Sequence, residues 1–128
     1  MYDIDSRSDL VTLMELFYSK ALADDVIGYF FTEVAPLNME THLPLIVSFW
    51  ESVLFDKTGY KGNVMQVHQH IHQLAAFRDQ HFVRWVELFK QTVTELYSGE
   101  NAEKIKQRAE SIATVMRIKL VHSGIEKK

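Results

Sequence analysis

The sequence has no cysteine and little glycine or proline. Without a thiol, disulfides, thiolate metal sites, iron–sulfur clusters and a cysteine nucleophile are excluded, so any metal must be bound by histidine, carboxylate or tyrosine. The five glycines and two prolines separate long segments in which apolar residues recur every three or four positions. This spacing predicts an all-α protein.

The sequence also lacks the features of membrane or nucleic-acid partners. No apolar run approaches the roughly 20 residues that cross a bilayer, and Met1 to Asp9 contains acids where a signal peptide has a basic start. We therefore expect no membrane association and a cytoplasmic location. The 14 basic and 17 acidic residues give a net charge of −3 and are interspersed along the chain, which disfavours nucleic-acid binding.

The remaining composition is typical of a packed protein. Apolar residues make up 47% of the chain and charged residues 24%, a balance found in folded rather than disordered chains. A length of 128 residues is enough for one hydrophobic core and too short for two ordinary domains. We expect a single domain over residues 1–128, and a monomer.

The periodic segments predict where the helices begin and end. For the helix that contains Pro44 two starts are open: with Thr41 as N-cap the proline lies in the first turn, where its missing N–H is harmless, whereas a start at Asn38 requires a bend. The other predicted elements are a helix over Ser8–Ala23, a short element over Val26–Phe31, a histidine-rich helix over Val64–Leu74, a long helix capped by Asp79 and ended by Gly99, and a last helix capped by Asn101.

The densest group of candidate metal ligands is the three histidines of that histidine-rich helix. His68 and His72 are four residues apart and share a helical face, whereas His70 points to another side. Neutral imidazole binds iron, zinc, copper and nickel, although a histidine chosen at random is more often solvated or bonded within a core. The helix has no HExxH motif and no acid, which argues against a zinc hydrolase.

A single axial histidine under a flat apolar cofactor fits the sequence better. The segments around the histidines supply large apolar residues that could contact such a group. Three polar tips, those of Tyr18, His42 and Trp85, could converge on one ligand, or each could bond to backbone. No phosphate-binding loop, GxSxG motif or catalytic triad pattern is present. The apolar candidates are Phe31, Ile46, Phe49, Phe77, Phe82 and Trp85.

Several motifs with characteristic separations make the pattern specific. In chain order they are Phe17-Tyr18, Ile27-Gly28-Tyr29-Phe30-Phe31, His42-Leu43-Pro44, Phe49-Trp50, Tyr60-Lys61-Gly62-Asn63, His68 with His72, and the run from His81 to Phe89. Together they resemble the truncated haemoglobins of bacteria, and most closely their third group. The resemblance covers about Leu10 to Met116, nearly the whole chain. It implies a two-over-two helical sandwich around haem b.

The resemblance also implies which histidine binds iron. The family has histidines at both positions that match His68 and His72, so either could be the proximal ligand. In the related pattern the ligand stands thirteen residues before the tryptophan of the following helix, and that count from Trp85 leads to His72. We therefore assign the iron to His72 and keep His68 as the alternative ligand. If His72 binds the iron, we expect His68 to contact the cofactor.

On the distal side the resemblance assigns roles to five residues. Tyr18 matches the ligand-bonding tyrosine, His42 the polar position of the distal helix and Trp85 the pocket tryptophan. Phe31 matches the phenylalanine that stacks on the ring, and Ile46 would lie over the iron.

The expected function is the binding of dioxygen and other diatomic gases. Hydrogen bonds from Tyr18 and Trp85 would slow oxygen release, which favours nitric oxide or peroxide detoxification, or ligand sensing, over bulk delivery. A dioxygenase or peroxidase reaction would need an external reductase, because the chain has no flavin or nicotinamide motif. The alternative is a histidine-rich all-α module that binds a transition metal or a partner without haem.

Overall fold

The computed structural model describes residues 1–34, 38–56 and 77–122. These residues contain four long helices and two π-helical segments. Within these ranges there is no strand, which confirms the all-α prediction. No helix of the described residues is long and apolar enough to cross a membrane. The helices are α1 (Arg7–Ala23), α2 (Met39–Phe55), α3 (Asp79–Leu96) and α4 (Glu100–Arg117), and the π-helical segments are Phe30–Val34 and Ile118–His122.

The helices pack as two pairs laid across each other. Helix α1 packs on α2 and α3 on α4, and the pairs meet where α1 contacts α3 and α2 contacts α4. This is the predicted two-over-two sandwich. Each large apolar side chain at the centre stabilises the fold by roughly 1.5–3 kcal/mol through burial. The most deeply buried are Leu10, Leu13, Phe17, Val47, Trp50, Phe89, Val93 and Ile105.

The start of α2 decides where His42 lies. The helix begins at Met39, and the Asn38 side chain caps it by accepting a hydrogen bond from the Glu40 N–H at 3.0 Å. Thr41 as the N-cap is therefore wrong, and Pro44 lies inside the helix. With this earlier start His42 is the fourth residue of the helix, and its N–H donates to the Asn38 carbonyl at 2.9 Å.

The start of α4 differs from the sequence-based expectation as well. Gly99, predicted to end α3, is the N-cap of α4, with a φ of 141° that favours glycine. Asn101, predicted as the cap, lies in the first turn, where its N–H donates to the carboxylate of Asp3 at 2.9 Å and the Ala102 N–H does so at 2.8 Å. A carboxylate from the other end of the chain thus replaces the local cap.

The other helix ends lie close to their predicted positions. Helix α1 begins at Arg7, one residue before the predicted start at Ser8, with Ser6 as its N-cap. Helix α3 begins at Asp79, but its cap is Arg78, one residue earlier than predicted. The predicted short element, Val26–Phe31, overlaps the π-helical segment Phe30–Val34 only at its last two residues, of which Phe30 is buried and Phe31 half-buried. The histidine-rich helix, Val64–Leu74, lies outside the described residues.

Candidate ligand pocket

A part-buried hydrogen bond joins Tyr18 of α1 to His42 of α2. The Tyr18 Oη and the His42 Nε2 are 2.8 Å apart, and the two rings meet edge to face with centroids at 5.1 Å. Tyr18 is only 6% exposed, and this burial raises the pKa of its phenol above the ordinary value. The phenol therefore keeps its proton at neutral pH.

The direction of this hydrogen bond decides what the pair can offer to a third molecule. If the Tyr18 O–H donates to an unprotonated Nε2, the phenol has no proton left for a ligand. If the Nε2–H donates to the Tyr18 oxygen instead, the phenol O–H is available to a ligand, and it is polarised by the bond that it accepts. The pair can thus act as a hydrogen-bond donor in one tautomer of His42.

Two phenylalanines fix the ring of Tyr18. Phe31, from the corner after α1, meets the tyrosine ring edge to face with centroids at 5.8 Å, and Phe17 does so at 5.2 Å. Edge-to-face contacts between such rings contribute about 0.5–1.5 kcal/mol each beyond their buried area. The hydroxyl is therefore held in place by packing as well as by His42.

Trp85 of α3 lies one ring further away. Its indole stacks on Phe89 with centroids at 5.4 Å and meets Phe17 edge to face at 6.0 Å. Phe17 contacts both Tyr18 and Trp85, whereas no ring contact or hydrogen bond of Trp85 with Tyr18 or His42 is found among the described residues. Of the three predicted distal residues, Tyr18 and His42 are therefore bonded to each other, whereas Trp85 is linked to Tyr18 through Phe17, which both rings contact.

The predicted cofactor contacts fall into two apolar groups. Phe31, Ile46 and Phe49 are half-buried against the main core. Phe77 and Phe82 pack on a smaller cluster where α3 begins and α4 ends, and Trp85 packs against both groups.

These two groups suit a flat apolar molecule. Most of the side chains retain exposed apolar surface, and covering it would contribute about 25 cal/mol per Å². With the phenol of Tyr18 as a nearby donor, the described residues fit the distal side of a haem. The predicted iron ligand His72 and its alternative His68 lie outside the described residues, so their assignment stays a prediction.

Asp24, which no sequence motif singles out, is the C-cap of α1 and closes the corner between α1 and Phe31. Its carboxylate accepts hydrogen bonds from the N–H groups of Val26 and Ile27 at 3.0 and 3.1 Å, and it pairs with Arg84 of α3 at 2.8 Å. Burial raises the pKa of Asp24, but Arg84 and the two N–H groups outweigh this and hold it below the ordinary value. An acid at a helix end signals a cap, but nothing in the sequence indicated the distant arginine.

Comparison with known proteins extends these observations. No family model matches the sequence. Over 116 residues the chain is 28% identical to the group 3 truncated hemoglobin ctb of Campylobacter jejuni, a match that covers 88% of this chain and 89% of that protein. The crystal structure of a group III truncated hemoglobin from Campylobacter jejuni matches with a TM-score of 0.80 and 26% identity, over 93% of this chain and 94% of that one.

These matches agree with the fold and with the motifs. The helical topology is that of a truncated globin, and the chain resembles the third group in sequence and in structure. The resemblance read from the motifs is thereby confirmed.

Proposed function

We propose that this protein binds one haem b, with His72 as the iron ligand, and that it binds a diatomic gas such as dioxygen beside Tyr18. The observation that carries the proposal is the part-buried hydrogen bond between Tyr18 and His42 in a chain that resembles truncated haemoglobins. Removing polar side chains from water destabilises a fold unless each of them keeps a hydrogen-bond partner. A hydrogen-bonded polar pair beside half-buried apolar side chains is typical of a binding pocket.

Haem supplies the reversible binding of dioxygen, carbon monoxide and nitric oxide at its ferrous iron. The contribution of this chain is to orient the gas and to exclude water. In the tautomer of His42 whose Nε2–H donates to Tyr18, the phenol O–H would donate a hydrogen bond to a ligand atom that carries partial negative charge, and the bond from His42 would strengthen it. Trp85 is proposed as a second donor through its indole N–H.

Apolar side chains would provide most of the affinity for the haem ring itself. We assign this role to both apolar groups of the pocket, because a flat ring that covers them loses water from both of its faces. Phe31 would stack on the ring, and Ile46, one turn after His42, would restrict the space beside the gas. The assigned contacts are Phe31, Ile46, Phe49, Phe77, Phe82 and Trp85, with His68 as a further contact or the alternative iron ligand.

The donor side chains favour slow release of dioxygen over rapid delivery. Such a protein suits nitric oxide or peroxide detoxification, or the sensing of a gas. A catalytic cycle would need an external reductase, because the sequence has no motif for a flavin or nicotinamide cofactor.

Haem uptake tests the proposal directly. Titration of the purified protein with haem should give a Soret band that saturates at one equivalent per chain. A chain that stays helical by circular dichroism but gives no such band contradicts the proposal. Uptake of nickel or zinc without a porphyrin spectrum would support the histidine-rich metal-binding alternative.

The assignment of the iron ligand is tested by two matched variants. His72→Ala should remove the axial imidazole, which changes the Soret maximum and shortens the lifetime of the bound haem, whereas His68→Ala should leave the axial ligand in place. The measurements are absorption and resonance Raman spectra of both ferrous variants. The reverse result would move the assignment to His68.

A further inference from the structure

The corner after α1 is organised around a single carboxylate. Asp24 closes α1, since its N–H donates to the Ala21 carbonyl at 3.2 Å, and it also starts the next helical segment. Its Oδ2 accepts from the N–H groups of Val26 and Ile27, and its backbone carbonyl accepts from the Gly28 N–H at 2.9 Å. Three successive N–H groups of the corner thus depend on one residue.

Arg84 of α3 holds this carboxylate from the other side. Its Nε donates a hydrogen bond to the Asp24 Oδ1 at 2.9 Å, and its Nη2 forms an ion pair with the same oxygen at 2.8 Å, so both contacts converge on the oxygen that the backbone leaves open. The Asp24 side chain is 7% exposed and that of Arg84 37% exposed. A carboxylate buried to this degree needs its partner, because an unpaired buried charge is strongly unfavourable.

The position of the corner determines the position of Phe31. Gly28 lies so close to the end of α1 that an added Cβ would be 2.7 Å from the Leu22 carbonyl oxygen. Three residues later, Phe31 meets the ring of Tyr18 edge to face. A shift of the corner would therefore be transmitted through Phe31 to the phenol that bonds His42.

We infer that Asp24 and Arg84 are positioning residues for the candidate ligand pocket: their ion pair fixes the corner, and through Phe31 it fixes the direction of the Tyr18 hydroxyl. This inference rests on the proposed function for its significance, but the positioning itself can be measured with or without haem. The pair acts on the pocket through Tyr18 and contacts neither His42 nor the proposed gas.

A second ion pair between the same two helices provides a matched control. Lys20 of α1 binds Glu95 of α3 at 2.7 Å, but neither residue contacts the corner. The variants are Asp24→Asn, which keeps the shape and loses the charge, Arg84→Gln, which leaves the caps of the corner intact, and Glu95→Gln. All are compared as purified, by NMR of ¹³C-labelled tyrosine and histidine rings and by amide hydrogen exchange.

In Asp24→Asn the amides of Val26 and Ile27 should exchange about tenfold faster, because they lose a charged acceptor. The ring signals of Tyr18 and His42 should shift in Asp24→Asn and in Arg84→Gln, and stay in place in Glu95→Gln. A merely structural ion pair would lower the thermal midpoint without moving these signals, and that result would overturn the inference. If Asp24→Asn does not fold, Arg84→Gln decides the question by the same signals.

The carbon monoxide complex of the haem-loaded protein gives a second readout. The C–O stretching frequency reports the hydrogen bond from the distal side, so it should shift in Asp24→Asn and not in Glu95→Gln. In the background of Tyr18→Phe the Asp24→Asn shift should disappear, because the pair acts through the phenol. A shift that persists there contradicts the inference. If the protein takes up no haem, the proposed function fails, and the ring signals alone still decide whether Asp24 and Arg84 position Tyr18.

Discussion

The two ends of α1 are built in opposite ways. At its N-terminal end the chain is closed: Ile4 and Leu10 are fully buried, and Asp3 satisfies the first N–H groups of α4. The Tyr97 hydroxyl donates to the Asp9 carbonyl at 2.9 Å, which ties the end of α3 to the same place. The two N–H groups that bind Asp3 belong to the first turn of α4, where helix geometry would otherwise leave them without a partner.

At its C-terminal end the same helix is open to interaction. Tyr18 and His42 satisfy each other, but the apolar side chains around them, among them Phe31 and Phe49, are only half-buried. The two ends of α1 thus differ in side-chain burial. Complete burial at the N-terminal end stabilises the fold, whereas incomplete burial beside a polar pair at the C-terminal end leaves a surface that can bind a ligand. Substitutions at the first end should therefore change unfolding, and substitutions at the second should change binding.

The largest effect should come from the closed end. Leu10→Ala removes a fully buried side chain and should lower the free energy of unfolding by about 2–5 kcal/mol. Haem affinity of the folded fraction should stay unchanged. Urea unfolding measures the free energy of unfolding, and haem titration measures the affinity. Leu45→Ala is the control, because this side chain is 59% exposed and its loss should change the free energy of unfolding by about 0.5 kcal/mol or less. Equal losses in both quantities would show that the two ends are not separate.

The next largest effect should come from the open end. Tyr18→Phe keeps the ring and its contacts with Phe17 and Phe31 but deletes the hydroxyl. A hydrogen bond to a partly charged acceptor contributes about 1.5–3 kcal/mol, so oxygen release should accelerate roughly tenfold or more. Stopped-flow mixing measures that rate, and carbon monoxide release, which involves a less polar ligand, should change less.

Trp85→Phe and the double variant complete this test. Because Trp85 is proposed to donate to the same ligand, the two effects need not add. Oxygen release at the wild-type rate in all three variants would remove both residues from the distal side.

A smaller effect should follow from loss of the cap at α4. Asp3→Asn should cost about 1 kcal/mol of stability at neutral pH, typical of a lost helix cap. Burial raises the pKa of Asp3, but the N–H groups of Asn101, Ala102 and Ile4 outweigh this and lower it in the folded protein. The contribution is therefore present above the ordinary carboxyl value and is lost as the pH falls through the lowered one. A difference between wild type and variant that does not shrink as the pH falls below the ordinary carboxyl value of 3.8 would contradict this.

The smallest effect should be the pH dependence due to His81. Its Nδ1 accepts a hydrogen bond from the Arg78 N–H at 2.8 Å, and its ring meets that of Phe30 with centroids at 4.7 Å. Burial, together with the charge of Arg78, lowers the pKa of His81. The neutral form is therefore the one that the fold favours, and stability should fall as the pH drops below the ordinary value of about 6.5. Thermal unfolding between pH 5 and pH 8 should show this slope in the wild type and less of it in His81→Phe.

Much of the fold could be predicted because it depends on local periodicity. The three- and four-residue spacing of apolar side chains placed α1 and α3 to within a residue or two. The start of α2 was left open between Asn38 and Thr41, which are both good caps, and the structure has Asn38. The cap of α4 was missed because it comes from Asp3, which no local pattern can indicate. The single domain and the monomeric state stay predictions.

The candidate pocket was predictable in part. Tyr18 and His42 were singled out from their places on two helices and do meet, whereas the contact of Trp85 with Phe17 rather than with Tyr18 follows from packing that the sequence does not contain. The ion pair of Asp24 and Arg84 spans 60 positions. Such a pairing depends on how two helices cross, which neither composition nor spacing determines.

Pro44 divides α2 into two parts that should differ in local stability. A proline has no N–H to donate to the carbonyl of Glu40, so the ladder of hydrogen bonds is interrupted one turn after the helix begins. Because an unbroken ladder opens cooperatively, an interrupted one allows its first turns to open without the remainder. His42 lies in those first turns. We therefore expect the first turns of α2 to open, and with them the bond of His42 to Tyr18 to break, at lower free energy than global unfolding. Amide exchange should then divide α2 into two kinetic classes at Pro44.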